Sequence, residues 1–429
     1  MLDIKLIRAN PELVRNNLKK REDLENLKTL DELIECDRRW RQSLTKLNEL
    51  RHERKLMTTE IATLKKKGEY VSNKISKAKK IDIEVTALEK QVKKCEEKMR
   101  YYLMQIPNLL HESVPKGKDE HDNVPIRTWG EIPKFNFRVK DHIDLGLSLD
   151  IMDTERAGKV AGARFFYLKG ESVLLDMALM SFALEEMIKK GYTPIEPPFL
   201  MRRKPYEGVV ALSDFENDLY KIENEDLYLI ATSEHPMAAM FMDEVLKAKD
   251  LPLKLVGVST NFRKEAGAHG KDTRGVFRTH QFNKVEQFVF CKPEDSWKIH
   301  EELIRNAEEL VQKLGLPYRV VNCCTGDIGT VAAKKYDIEV WMPAQNAYRE
   351  TGSCSNCTDY QARRLNIRYR EKEGAPSMGF VHTLNSTAFA TGRTIVAILE
   401  NYQQKDGPVI VPEVLRKYMC DMEKIEPKR

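Results

Sequence analysis

Four short stretches of this chain gather residue types that bind anions and position reactive groups. They are Thr260-Asn-Phe-Arg263-Lys264-Glu265, Arg274-Gly-Val-Phe-Arg278 running on to Phe282 and Glu286, Glu350-Thr351-Gly352-Ser353, and Ala390-Thr-Gly392-Arg393-Thr394. A guanidinium keeps its charge at any working pH and grips an oxyanion through two parallel hydrogen bonds. Arg263 is therefore a candidate anion ligand. Gln281–Phe290 reads as a strand, where residues of equal parity share a face. Phe282 and Glu286 then point the same way, about 13 Å apart, with Val285 and Val289 on the opposite side. Other chemistries are missing: there is no G-x-x-x-x-G-K-[ST] loop, no helix-opening G-x-G-x-x-G and no H-E-x-x-H. Gly257-Val-Ser259 lacks the second glycine of a nucleophile elbow. Cys354-Ser-Asn-Cys357 has a zinc-like spacing, but a structural zinc takes four ligands. The nearest other cysteines, Cys323 and Cys324, are adjacent, so no structural zinc is expected.

Helices and strands must hold these residues. Ser172–Lys190 reads as an amphipathic helix closed by Gly191. Leu227–Thr232, Val256–Thr260 and Gln281–Phe290 read as strands, and Ile395–Glu400 as a helix. Strands joined by long loops, with few βαβ units, predict an α+β fold in which helices pack on an antiparallel sheet. The N-terminal part is different. Asn10-Pro11-Glu12 has the form of a helix start and Thr29-Leu-Asp-Glu32 that of a capping box. A long charged helix should follow, with apolar residues from Leu33 and Trp40 to Ile61 and Leu64, and then a turn at 65–74 around Gly68. On the return, Ile81, Val85, Leu88, Val92, Cys95, Met99, Tyr102 and Ile106 alternate at spacings of four and three, the seam of a coiled coil. Such a seam serves a hairpin within one chain or a dimer between two, and the short polar turn favours the hairpin. The expected organisation is an N-terminal domain over 1–106 with the arm at about 30–104, a proline-rich linker over 107–124, and a catalytic domain over 125–429.

The net charge is +5 over 429 residues, but it is unevenly placed. Between Arg38 and Arg100 there are 19 Lys and Arg against 9 Asp and Glu. This asymmetry suits an arm that faces nucleic acid, although a solvated lysine-rich helix pair would have the same composition. No apolar stretch is long enough for a membrane helix, and the N-terminus carries no export signal. Eight cysteines are too few for a disulfide scaffold, which points to the cytoplasm.

In chain order, three segments resemble motifs 1, 2 and 3 of the class II aminoacyl-tRNA synthetases. They are the helix 172–190 with Tyr192-Thr-Pro-Ile-Glu-Pro-Pro198, the stretch Thr260–Glu286, and Ala390–Thr394 with the helix after it. Finer matches are similar to the seryl-tRNA synthetases. These are Thr232-Ser233-Glu234-His235-Pro236, Phe262–Gly267, Asp272-Thr-Arg-Gly275, His280–Glu286, Thr325–Gly329, Glu350–Ser355 and Asn401-Tyr-Gln-Gln404. The Thr-Ser-Glu-His form looks like the archaeal branch, and the resemblance extends over the hairpin.

That resemblance implies activation of L-serine with ATP and Mg²⁺, then transfer to tRNA(Ser) by a homodimer. ATP would be bound by Arg263, Lys264, Glu265, Arg278, Phe282, Glu350, Thr351, Gly352, Ser353 and Arg393. Arg263 would hold the α-phosphate and Arg278 the γ-phosphate, with adenine between Phe282 and Arg393. Glu350 and Ser353 would hold Mg²⁺, whose hard oxygen ligands they supply. Serine would be recognised by Thr232, Ser233, Glu234, Arg263, Glu286, Asn385 and Thr387. Arg263, Glu286 and Arg393 are the implied catalytic residues. The 13 Å between Phe282 and Glu286 is about the span of an acyl-adenylate from base to amino acid. A paralogue that charges a carrier protein would lack the arm. An RNA-binding relative without activity would lack Arg263, Glu350 or Arg393. All of these features are in place.

Overall fold

The computed structural model describes residues 1–211, 216–266 and 275–427. The chain forms two compact units, Met1–Pro107 and Asn108–Arg429.

The first unit is helical. Helix α1 spans Ile4–Ala9 and α2 spans Pro11–Lys20, with the Asn10 side chain capping Leu13 N–H as the Asn-Pro pair requires. Helix α3 covers Leu24–Lys66 and α4 covers Ser72–Gln105. At 43 residues α3 is about 65 Å long. The two helices run antiparallel, since Trp40 bonds Glu96, Arg51 bonds Glu89 and Arg54 bonds Asp82. Leu47, Ile81, Val85 and Val92 are buried between them, and Gly68 turns the chain at φ +74°. Two expectations give way. Asp23, not Thr29, caps α3, and Thr29 lies inside the helix with its hydroxyl on Glu25 O. Near its end the seam passes through buried Leu103 instead of Tyr102.

The second unit is built on an eight-stranded sheet. Its strands are β1 (Val124–Trp129), β2 (Thr193–Ile195), β3 (Leu253–Phe262), β4 (Gln281–Cys291), β5 (Tyr318–Asn322), β6 (Lys334–Met342), β7 (Ala347–Asn356) and β8 (His382–Ala390), lying side by side as β1-β5-β6-β7-β8-β4-β3-β2. Every pairing is antiparallel except β2 with β3. Helices α5 (Glu171–Lys189), α8 (Ser296–Lys313) and α10 (Thr391–Tyr402) cover one face, where Val285, Val289, Val320, Ile338 and Leu384 enter the core. Short helices α6 (Arg203–Val209), α7 (Glu234–Ala239) and α9 (Tyr360–Leu365) pack on the other face against Phe288 and Phe290. They cover only part of it, and the uncovered part holds the site.

Two sequence readings change. Leu227–Thr232 forms a strand only at Tyr228–Leu229. Of residues 107–124, read as a linker, 108–123 are packed on the second unit. Asn108 bonds the carbonyls of Val331 and Cys357, Val114 is buried with Ile328 and Ala332, and Asn123 caps Cys324 N–H.

Candidate active site

The ladder between β3 and β4 is unbroken from Leu253–Phe290 to Phe262–Gln281, so side-chain alternation holds along the whole of β4. Val285, Val289 and Cys291 enter the helix-covered core. Phe282, Lys284 and Glu286 face the other way, as parity predicts. Phe282 and Lys284 line a cavity of about 210 Å³.

Each wall of this cavity comes from a strand or helix end. Strand β3 stops at Phe262 and delivers Arg263. Arg263 Nε donates to Ala231 O at 3.2 Å, and its guanidinium carbon lies 5.2 Å from the centre of the Phe282 ring. Arg278 Nε donates to Glu265 Oε2 at 2.5 Å. Strand β7 contributes Glu350 and Ser353, whose odd spacing would place them on opposite faces of a regular strand. A bulge corrects this. Ser353 pairs with Asp337 and Glu350 with Glu339, leaving Thr351 as the extra residue, so both oxygens reach the same side. Arg393, at the start of α10, donates from Nη1 to Glu350 O at 2.8 Å and lies 3.1 Å from Glu350 Oε2. Gly392 lets the start of α10 pack against the Val276 carbonyl, because a Cβ there would lie 2.8 Å from Val276 O. A wider groove of about 1010 Å³ opens alongside and shares Arg278, Glu350 and Arg393, so the arginine side of the cavity is open to solvent.

Beyond Lys284 the site becomes buried and polar. Lys284 Nζ lies 2.5 Å from Glu286 Oε2 and 3.2 Å from Thr232 Oγ1. A second bulge, at Ala388, keeps Thr387 opposite Glu286 while Phe389 joins the core. Glu234 Oε1 accepts from Asn385 Nδ2 at 3.1 Å. Burial raises the Glu286 carboxyl above the usual range, and Lys284 works against that rise. Burial and the neighbouring Glu286 push Glu234 up to about 7. Desolvation would raise Glu350 as well, but Arg393 and Lys335 outweigh it and hold its carboxyl below the usual range.

The structure thus brings Arg263, Glu265, Arg278, Phe282, Glu350, Thr351, Gly352, Ser353, Thr387 and Arg393 around one cavity, with Thr232, Glu234, Glu286 and Asn385 linked behind it. Two of the sequence-derived residues turn elsewhere. Lys264 Nζ lies 5.8 Å from the Tyr220 ring, and the Ser233 hydroxyl packs against Gly257. Gly267 and Asp272-Thr-Arg274 lie outside the described residues. Sequence reasoning missed Lys284, although the parity that pairs Phe282 with Glu286 places Lys284 between them on the same face. Glu286 pairs with Lys284 within the site.

Cys354 and Cys357 are both buried. Cys354 belongs to the helix-side core, whereas Cys357 Sγ lies 3.9 Å from Asn385 Nδ2. Among the described residues, Cys323, Asp327 and Asp337 converge closely enough to suit a metal. Lys335 Nζ sits among them, 3.1 Å from Asp327 and 3.3 Å from Asp337, and balances their charge.

An antiparallel sheet with an arginine at the end of one strand and another at the start of a helix is the catalytic architecture of class II synthetases. Residues 216–402 match the family model for the tRNA synthetase class II core domain (G, H, P, S and T). Residues 1–110 match that for the seryl-tRNA synthetase N-terminal domain. A serine–tRNA ligase of Methanocella arvoryzae is 55% identical over 423 residues, covering 99% of this chain and 100% of its own. That of Pyrococcus horikoshii is 54% identical over 97% of this chain and 96% of its own. The crystal structure of seryl-tRNA synthetase from Pyrococcus horikoshii complexed with ATP superposes with a TM-score of 0.96 at 53% identity, covering 100% of both chains. That of the cytoplasmic serine–tRNA ligase from Naegleria fowleri in complex with AMP gives 0.90 at 38% identity, covering 100% of this chain and 99% of the other. The chain belongs to the seryl-tRNA synthetase family, the ligases that join serine to tRNA.

Proposed function

We propose that the cavity on the open face of β4 activates L-serine with ATP and presents the seryl-adenylate to the 3′ end of tRNA(Ser). The observation that carries this reading is the order along one strand face: an aromatic ring at Phe282, then Lys284 and Glu286, with Arg263 beside the ring. Adenine stacks on Phe282, with Arg393 on its other side. Serine lies at the buried end, where Thr232, Glu234, Glu286, Asn385 and Thr387 offer hydrogen bonds to its hydroxyl and ammonium.

Serine's carboxylate is ionised at neutral pH, so no general base is needed for the first step. One carboxylate oxygen attacks the α-phosphorus, and the bond to pyrophosphate breaks. Arg263 binds the phosphoryl oxygens where charge builds. Arg278 and Arg393 are held on Glu265 and Glu350. Triphosphate oxygens compete for the same guanidinium groups, which places the outer phosphates beside the open groove and gives pyrophosphate a way out. A ribose hydroxyl of the terminal nucleotide then attacks the seryl carbonyl carbon, and AMP leaves.

Glu350 and Ser353 fit a Mg²⁺ that arrives with ATP. Two hard oxygens reach one cavity wall, and the carboxyl is held ionised. Such an ion supplies charge neutralisation on phosphate oxygens. The arm of α3 and α4 binds tRNA through phosphates and shape. A homodimer through motif 1 is supported by Val173 and Met177 of α5, which are 38% and 57% exposed. No helix among the described residues is long and apolar enough to cross a membrane, and in this reading the enzyme works in the cytoplasm. Serine-dependent ATP–pyrophosphate exchange, with and without tRNA, is the direct test. Exchange should need serine but not tRNA, and equal exchange with threonine or alanine would refute the serine assignment.

A further inference from the structure

Glu234 is held by a side chain that belongs to none of the three motifs. Gln361, on α9, is 1% exposed. Its Nε2 donates to Glu234 Oε1 at 3.3 Å and to Val209 O at 3.2 Å, while its Oε1 accepts from Thr383 Oγ1 at 2.6 Å. This arrangement fixes the amide's orientation. A flipped amide would set its oxygen against a carboxylate and a carbonyl, neither of which can donate to it. Helix α9 is itself anchored, because Arg364 Nη1 donates to Val210 O at 2.9 Å and to Glu207 O at 3.2 Å. Gln361 and Asn385 both converge on Glu234 Oε1, which leaves Oε2 as the oxygen for substrate.

We propose that Gln361 is a positioning residue for serine activation, orienting the Glu234 carboxylate toward the substrate ammonium through the relay Thr383–Gln361–Glu234. The inference rests on the reading of Glu234 as a serine ligand. Gln361 also favours the ionised carboxylate, against burial and the charge of Glu286. The charged or titratable groups facing Glu234 are Glu286 and Lys284 on β4, Arg263 at the end of β3, the Tyr206 hydroxyl on α6 and the Cys357 thiol just past β7.

The test is steady-state pyrophosphate exchange by the full-length protein carrying Gln361→Met, Thr383→Val, Thr383→Ser or Glu234→Gln. Gln361→Met should raise the serine KM roughly five- to tenfold, part of what a hydrogen bond to a charged group is worth, and leave the ATP KM within about twofold. It should also move the acid limb of kcat/KM for serine to higher pH, because the carboxylate has lost a donor. Thr383→Val should go part of the way, and Thr383→Ser should behave as wild type. Equal weakening of both substrates, or an unmoved pH limb, overturns the relay. If Gln361→Met does not fold, Thr383→Val against Thr383→Ser decides on the same two readouts. Glu234→Gln separates the two ideas. If it leaves the serine KM unchanged, the serine-site reading fails. If it raises that KM while the relay variants do not, only the relay fails.

Discussion

The ion pair between Lys284 and Glu286 allows the serine assignment to be separated from simple structural support. Glu286→Gln keeps the shape and removes the charge. A hydrogen bond from a substrate hydroxyl or ammonium to a carboxylate contributes about 1.5–3 kcal/mol. Its loss should raise the serine KM by about ten- to a hundredfold. ATP has its own contacts at Arg263, Phe282 and Arg393, so its KM should change less than about threefold. The substitution also strands Lys284, whose side chain is only 9% exposed. Breaking a buried pair costs about 3–5 kcal/mol. Taking the lower figure, because glutamine still accepts a hydrogen bond, the melting temperature should fall by about 5 °C. Lys284→Met combined with Glu286→Gln removes the stranded charge and should recover most of that loss. It should not recover serine affinity. Pyrophosphate exchange gives both KM values and differential scanning calorimetry gives the melting temperature. If the double variant regains a normal serine KM along with its stability, Glu286 serves only the ion pair and the serine assignment is wrong.

Phe282→Ala should raise the ATP KM by about ten- to a hundredfold, from the 1–3 kcal/mol of base stacking, and the serine KM far less. Arg51 and Glu89 pair across the arm at 2.8 Å, so replacing 51–89 by a short glycine–serine turn should shorten the hairpin without splaying it. That protein should keep pyrophosphate exchange and lose tRNA charging, while in the intact protein tRNA binding should weaken steeply with salt. Replacing Cys354 and Cys357 by serine should leave the metal content, read by elemental analysis, unchanged; one tightly bound zinc per chain in the wild type would overturn the reading of these thiols as core residues. The Glu234 carboxyl, at about 7 against an ordinary 4.5, sets opposite pH trends for binding and stability. Serine kcat/KM should fall as pH drops below 7, because the ammonium needs the ionised form. The folded protein holds this proton more tightly than the unfolded chain, so Glu234's contribution to stability is present below about pH 4.5 and is lost as pH rises through about 7. Glu234→Gln should flatten both trends.

The parts of the fold that were legible in the sequence are those whose logic is local. The α4 seam needs only a repeat of four and three, and the Asn10-Pro11 start needs only its own cap. The face of β4 was legible because its ladder with β3 runs without interruption, so counting by two never fails. The same counting misleads on β7, where Glu350 and Ser353 share a side only through a bulge defined by their partners on β6. Tyr228, Ile230 and Ala231 look like a strand because they are apolar, but their apolarity serves the core under α6 and α9. The prolines of 107–124 suggested a linker, yet Asn108 makes its hydrogen bonds to residues more than two hundred positions away. Gln361 shows the limit most clearly. It sits 127 residues from Glu234 and 22 from Thr383, on a helix of six residues with no periodicity to expose it. Its effect depends on a fixed amide orientation, and that orientation exists only once three distant segments have packed. A motif can show that a carboxylate stands at Glu234. Which of its oxygens faces the substrate is settled by side chains that no motif contains.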